Sequence, residues 1–183
     1  MRTILQVEDD PNDVFLLQHA MKKVGLTNPV QVATNGRQAI EYLSGAGKFG
    51  DRKKFPLPCL VLLDLKLPFV MGLDVLKWIR RQPGPAPIVL LLTASAEEAD
   101  IATAYRLGAN AFLTKPSTAG KLEDMAKAIK DFWLTQNTLP KDSHAEAVTS
   151  GQVHAHTRGF GAKALPPLNG ANCRKQNHLL TKK

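Results

Sequence analysis

Five short apolar segments recur along the chain, each followed by turn residues and then by a helix-like pattern, and this alternation constrains the fold more than anything else in the sequence. The segments are 3–7, 29–33, 59–63, 88–92 and 109–113. Two contain unbroken apolar runs, Leu60-Val61-Leu62-Leu63 and Ile88-Val89-Leu90-Leu91-Leu92. A strand without polar alternation suits a sheet covered on both faces, which is a parallel sheet between helix layers. Helices are predicted over 11–24, 36–44, 72–81, 96–107 and 117–136. Their apolar residues keep helical spacing, as in Val14, Leu17, Met21 and Val24, or Leu122, Met125, Ile129 and Trp133, and these stripes are read as core. Ser95 is the expected N-cap of the fourth helix, with Glu97 and Glu98 in its first turn. Five βα units predict an α/β fold, a doubly wound five-stranded parallel sheet in the order 2-1-3-4-5.

In such a sheet ligands sit outside the carboxyl ends of strands 1 and 3, where the winding reverses. Glu8 and Asp9 follow strand 1 directly, and Asp64 follows strand 3. Three carboxylates in one crevice repel unless a cation joins them. An all-oxygen site with open positions suits Mg²⁺, which keeps waters and takes phosphate oxygens. The competing reading is that each acid merely N-caps the next helix; that suits any single acid better than three at adjacent strand ends. Thr93 closes strand 4 and Lys115 follows strand 5. A hydroxyl and an ammonium there supply donors for a phosphoryl group.

Other function classes fit poorly. The net charge is +8 and the pI is near 9.6, which invites a nucleic-acid reading. Residues 141–183, however, hold seven Lys/Arg against Asp142 and Glu146, a net +5, and their only adjacent basic pairs are Arg174-Lys175 and Lys182-Lys183. No helix-turn-helix pattern precedes them, so nucleic acid is not the expected partner. No apolar run reaches the ~18 residues of a membrane span, and the N-terminus lacks a secretory pattern. A cytoplasmic protein without membrane contact is expected. Cys59 opens an apolar run and Cys173 lies in a polar stretch, which argues against a disulfide between them. A Mg²⁺ phosphatase of the haloacid dehalogenase type would carry a second Asp two positions after its nucleophile, where this chain has Lys66. Glu-Asp-Asp-Pro after strand 1 replaces the Gly-rich loop of a dinucleotide enzyme. Residues 45–58 are predicted to be an exposed basic loop. From Pro140 onward periodicity stops, which predicts a domain over 1–140 and a basic, disordered tail over 141–183.

Val7-Glu8-Asp9, Leu63-Asp64-Leu65-Lys66-Leu67-Pro68 with Gly72, Thr93-Ala94, Phe112 and Lys115-Pro116 together resemble the receiver domain of two-component response regulators, over residues 2–137. The resemblance implies a flavodoxin-like receiver fold and a signalling protein rather than an enzyme. It implies that Asp64 accepts a phosphoryl group from a sensor histidine kinase. Glu8, Asp9, Asp64 and the backbone carbonyl of Lys66 would organise Mg²⁺. Thr93 and Phe112 would be the switch pair, and Lys115 would bind phosphoryl oxygens ahead of a cis Lys115–Pro116 bond. Residues 45–58, the run from Tyr105 to Asn110, and Asp131-Phe132-Trp133-Leu134 with Leu139-Pro140 are similar to single-domain regulators that partner phytochrome-type kinases. That narrower resemblance implies a homodimer. Phe132 and Trp133 stand ~100° apart on a helix, so one of them is expected to be exposed on the surface of helix 4, strand 5 and helix 5.

Overall fold

The computed structural model of the chain describes residues 2–94 and 97–138. The proposed tail, 141–183, lies outside them. The strands are β1 (Thr3–Val7), β2 (Val30–Ala33), β3 (Pro58–Asp64), β4 (Ile88–Thr93) and β5 (Ala111–Thr114). The helices are α1 (Pro11–Lys23), α2 (Gly36–Ser44), α3 (Gly72–Arg80), α4 (Glu98–Arg106) and α5 (Ala119–Ile129). All neighbouring strands pair in parallel, in the order β2-β1-β3-β4-β5, as expected.

The apolar runs explain the two-layer cover. Successive strand side chains point to opposite faces, so Leu5, Val7, Val61, Leu63, Val89 and Leu91 pack against residues of α2, α3 and α4. Ile4, Leu60, Leu62, Leu90 and Leu92 pack with Leu17, Ala20 and Met21 of α1 and Ala126 and Ile129 of α5. No helix among the described residues is long and apolar enough to cross a membrane.

Three local expectations are corrected and a fourth is refined. The N-cap of α4 is Glu97, whose carbonyl accepts from Asp100 N and Ile101 N; Ser95 lies outside the described residues. The last helix keeps α geometry only to Ile129 and continues as a π-helix over Lys130–Gln136, with Asn137 N donating to Phe132 O at 2.8 Å. Phe132 is 52% exposed there, while Trp133 packs against the α1/α5 side of the core. The Lys115–Pro116 bond is trans, since the described residues hold no cis peptide; trans is the isomer favoured for X–Pro by about 0.5–1 kcal/mol.

The fourth concerns the basic loop. Most residues of 45–58 are exposed as expected, its lysines among them, but the loop is anchored at Phe49, Arg52 and Phe55. A 3₁₀ turn over Gly47–Phe49 buries Phe49, whose ring lies 5.3 Å from Tyr42 and 5.1 Å from Phe55. The Arg52 guanidinium donates to the carbonyls of Tyr42 and Leu43, both at 2.8 Å, and of Phe55 at 3.3 Å. The first two lie in the last turn of α2, whose carbonyls have no helical partner. The aromatic content of the loop outweighs its charge, because the lysines keep their ammoniums at the edge: Lys48 and Lys54 sit over Phe49 and Phe55.

Candidate functional site at the carboxyl ends of β1 and β3

The parallel register sets the strand ends level. Val7 pairs with Leu63, and Asp64 with Leu92, so Glu8 and Asp64 emerge side by side with Thr93 next in line. Glu8 N donates to Ala33 O at 3.0 Å, which holds the start of the β1–α1 loop against β2. One oxygen from each of Glu8, Asp9 and Asp64 falls within 4.8 Å of the others. Glu8 and Asp64 are buried and Asp9 is exposed.

None of the three caps a helix. Asp10 caps α1 by accepting from Asn12 N at 2.8 Å, with Pro11 at the first position. Met71 precedes α3 without a side-chain cap. Close to the site, α3 begins against the backbone of Asp64: a Cβ on Gly72 would lie 2.1 Å from the Asp64 carbonyl oxygen. Only glycine fits this contact, and it anchors the β3–α3 loop beside the carboxylates.

Lys115 completes the cluster. Its ammonium donates to Glu8 Oε2, to Asp13 Oδ2 at 2.9 Å, and lies 3.4 Å from Asp64 Oδ1. Lys115 N also donates to Thr93 O at 2.7 Å, tying the loop after β5 to the end of β4. Burial pushes the Glu8 and Asp64 carboxyls above their usual range, and the Lys115 charge offsets this only in part. For Lys115 burial acts downward, but hydrogen bonds to Glu8 and Asp13 and the Asp64 charge hold the amine above its ordinary value. Three carboxylates thus face one ammonium, and the Asp9 carboxylate stands beside Glu8 and Asp64. The remaining negative charge, the all-oxygen donors and the exposed side at Asp9 suit a hard divalent cation.

The structure brings Glu8, Asp9, Asp64 and Lys115 together, and Thr93 ends the neighbouring strand β4. Lys66 stands two residues beyond Asp64 with an exposed side chain. Thr93 is buried. Phe112 is half-buried and packs on the α2/α3/α4 side. It pairs with Leu91, two residues before Thr93, so Phe112 and Thr93 share a face of the sheet. Asp13 escapes the sequence reading because it lies inside α1; the available signal was its acidic position in that helix's first turn. Phe69, 81% exposed and with φ 67, was also not anticipated, since nothing in Pro68-Phe69-Val70 announces that backbone.

The chain is similar to known response regulators. Response regulator Rcp1 of Synechocystis sp. (strain ATCC 27184 / PCC 6803 / Kazusa) is 35% identical over 140 residues, covering 76% of this chain and 93% of the relative. The crystal structure of its Mn(2+)-bound form superposes with a TM-score of 0.69 at 34% identity, over 76% of this chain and 99% of that one. The phosphorylated cyanobacterial phytochrome response regulator RcpA gives a TM-score of 0.70 at 34% identity, over 76% of this chain and 98% of its own. Residues 4–127 match the family described as the response regulator receiver domain. The family match spans most of the chain and the solved relatives share its fold: this chain belongs to the response regulator receiver domain family.

Proposed function

We propose that the chain is a phosphoacceptor response regulator in which Asp64 takes a phosphoryl group from a sensor histidine kinase in the presence of Mg²⁺. The observation that carries this reading is the convergence of the Glu8, Asp9 and Asp64 oxygens within 4.8 Å, with the Lys115 ammonium beside them. Glu8, Asp9, Asp64 and the Lys66 carbonyl are the proposed holders of the metal, which offsets repulsion between carboxylate and phosphoryl oxygens.

An Asp64 oxygen attacks phosphorus, the bond from phosphorus to the donor imidazole nitrogen breaks, and its electron pair returns to the ring. The acyl phosphate adds about −1.5 to −2 charges. Lys115 then shares its donors between Glu8, Asp13 and the phosphoryl oxygens, and the Thr93 hydroxyl gains an acceptor. Moving Thr93 towards that acceptor opens space on its own face of the sheet for Phe112. Charge-assisted hydrogen bonds of ~1.5–3 kcal/mol each reach the ~5.5 kcal/mol needed to move a switch from 1:99 to 99:1. The output is a change in the surface of α4, β5 and α5, which we read as a homodimer contact. The similarity to a phytochrome response regulator favours a phytochrome-type kinase as the donor.

With Mg²⁺ and acetyl phosphate, mass spectrometry of the wild type should show one added phosphoryl group, and Asp64→Asn should show none. Calorimetry should show Asp9→Ala weakening Mg²⁺ binding by at least the roughly 10- to 100-fold typical of outer-shell losses, and Glu8→Ala weakening it less. Equal labelling of Asp64→Asn would overturn the assignment.

A further inference from the structure

A lysine ammonium has three N–H donors, and three carboxylates already surround that of Lys115. It donates to Glu8 Oε2 and, at 2.9 Å, to Asp13 Oδ2, and stands 3.4 Å from Asp64 Oδ1. The ammonium is therefore held closer to Asp13 than to the proposed phosphoacceptor. Asp13 lies outside the group of Glu8, Asp9 and Asp64 oxygens that fall within 4.8 Å of one another. It stands in the first turn of α1, where any carboxylate is favoured by the helix dipole. That stabilisation needs no lysine, and the cap of α1 is Asp10. The bond to Lys115 is a second role, made across elements 102 residues apart.

The two hydrogen-bonded carboxylates are not equivalent. The Glu8 side chain is 5% exposed and that of Asp13 is 40% exposed. Taking the ammonium from Glu8 would leave a buried charge unpaired, which is strongly unfavourable. At Asp13 water can replace it. A phosphoryl group on Asp64 brings three strong acceptor oxygens, so acceptors then outnumber the donors of Lys115. The share that the phosphoryl group gains comes from Asp13, and the share that Asp13 keeps is lost to the phosphoryl group.

We infer that Asp13 is a positioning residue that competes with the phosphoryl group for Lys115 and so lowers the stability of the phosphorylated form. This inference rests on the phosphoacceptor reading above. The test measures binding of beryllofluoride, a mimic of the phosphoryl group, by 19F NMR with Mg²⁺ on the full chain. Wild type is compared with Asp13→Ala, Asp13→Asn and Asp10→Ser. Asp13→Ala should bind about three- to tenfold more tightly, the scale of a half-exposed charge-assisted pair. Asp13→Asn keeps a neutral acceptor and should gain less; it carries the test if Asp13→Ala does not fold. Asp10→Ser removes the same charge from the same connection while keeping a good cap, and Asp10 forms no ion pair with Lys115 among the described residues. Its affinity should stay near that of wild type. Unchanged or weaker binding in the Asp13 variants overturns the competition, since a merely structural Asp13 can only lose affinity when removed. An equal gain in Asp10→Ser also overturns it, giving the effect to net charge. Both results leave Asp64 as acceptor. A wild type that binds no beryllofluoride overturns the acceptor reading itself, and the inference with it.

Discussion

Asp64 and Glu8 are held in a conflict that a cation or a proton relieves. Both are buried, and among the described residues Lys115 is the one ammonium shared between them and Asp13. Their raised pKa values mean that each holds its proton better in the folded chain than in the unfolded one. Protonation therefore favours folding: the destabilisation is absent below the ordinary carboxylate range and complete once pH has risen through the raised folded values. Metal-free Asp64→Asn should accordingly be more stable than wild type at neutral pH by about 0.5–2 kcal/mol, the usual scale when a functional site is relaxed. The gap should close on acidification towards pH ~4. Thermal melts of both proteins in chelator across that range measure it. A wild type that is no less stable at neutral pH would mean that Lys115 already neutralises the cluster.

The connection between α2 and β3 shows what sets the limits of a sequence reading at the level of elements. Continuous apolar runs announce β3 and β4 because both their faces are covered, and the structure reproduces them to within a residue at either end. β5, expected at 109–113, begins at Ala111 because the two residues before it are committed elsewhere. Ala109 N closes the end of α4 on Ala104 O, and Asn110 Oδ1 accepts from Val89 N and the Arg80 guanidinium. Loop 45–58 has no period, so its basic residues suggested exposure; the contacts of Phe49, Phe55 and Arg52 are made with α2 and have no local signature. Phe49→Ala should cost about 2–4 kcal/mol in urea unfolding, approaching the loss for a core phenylalanine. An exposed loop residue would change stability by no more than about 0.5 kcal/mol, and that result would show the aromatic cluster to be incidental.

At the scale of the whole molecule, the proposed switch needs a surface through which a signal can leave the receiver domain. Tyr105 on α4, which packs beside the edge strand β5, and Phe132 beyond α5 are each 52% exposed. Aromatics are enriched in interfaces, and this pair is the proposed dimer contact. Light scattering should find a dimer for the full chain and for a chain ending at Pro140, and a monomer for Phe132→Ala. The shortened chain should melt within a few degrees of the full one, because residues 141–183 have no periodic apolar face with which to contribute stability. A monomeric wild type at high concentration, phosphorylated or not, would refute the dimer.

The sequence by itself determined the layer architecture, the strand order and the address of the site. Apolar periodicity is a local property of the chain, and right-handed parallel crossovers leave few ways to wind five βα units. Glu8, Asp9, Asp64, Thr93 and Lys115 were legible because each directly ends or follows a strand, so their meeting follows from topology alone. Tertiary structure decided the rest: Asp13 joining Lys115, the trans Lys115–Pro116 bond, the burial of Phe49 and the strained exposure of Phe69. Each of these depends on which surfaces meet across elements far apart in the chain, and side-chain contacts between such elements leave no period in the sequence to read.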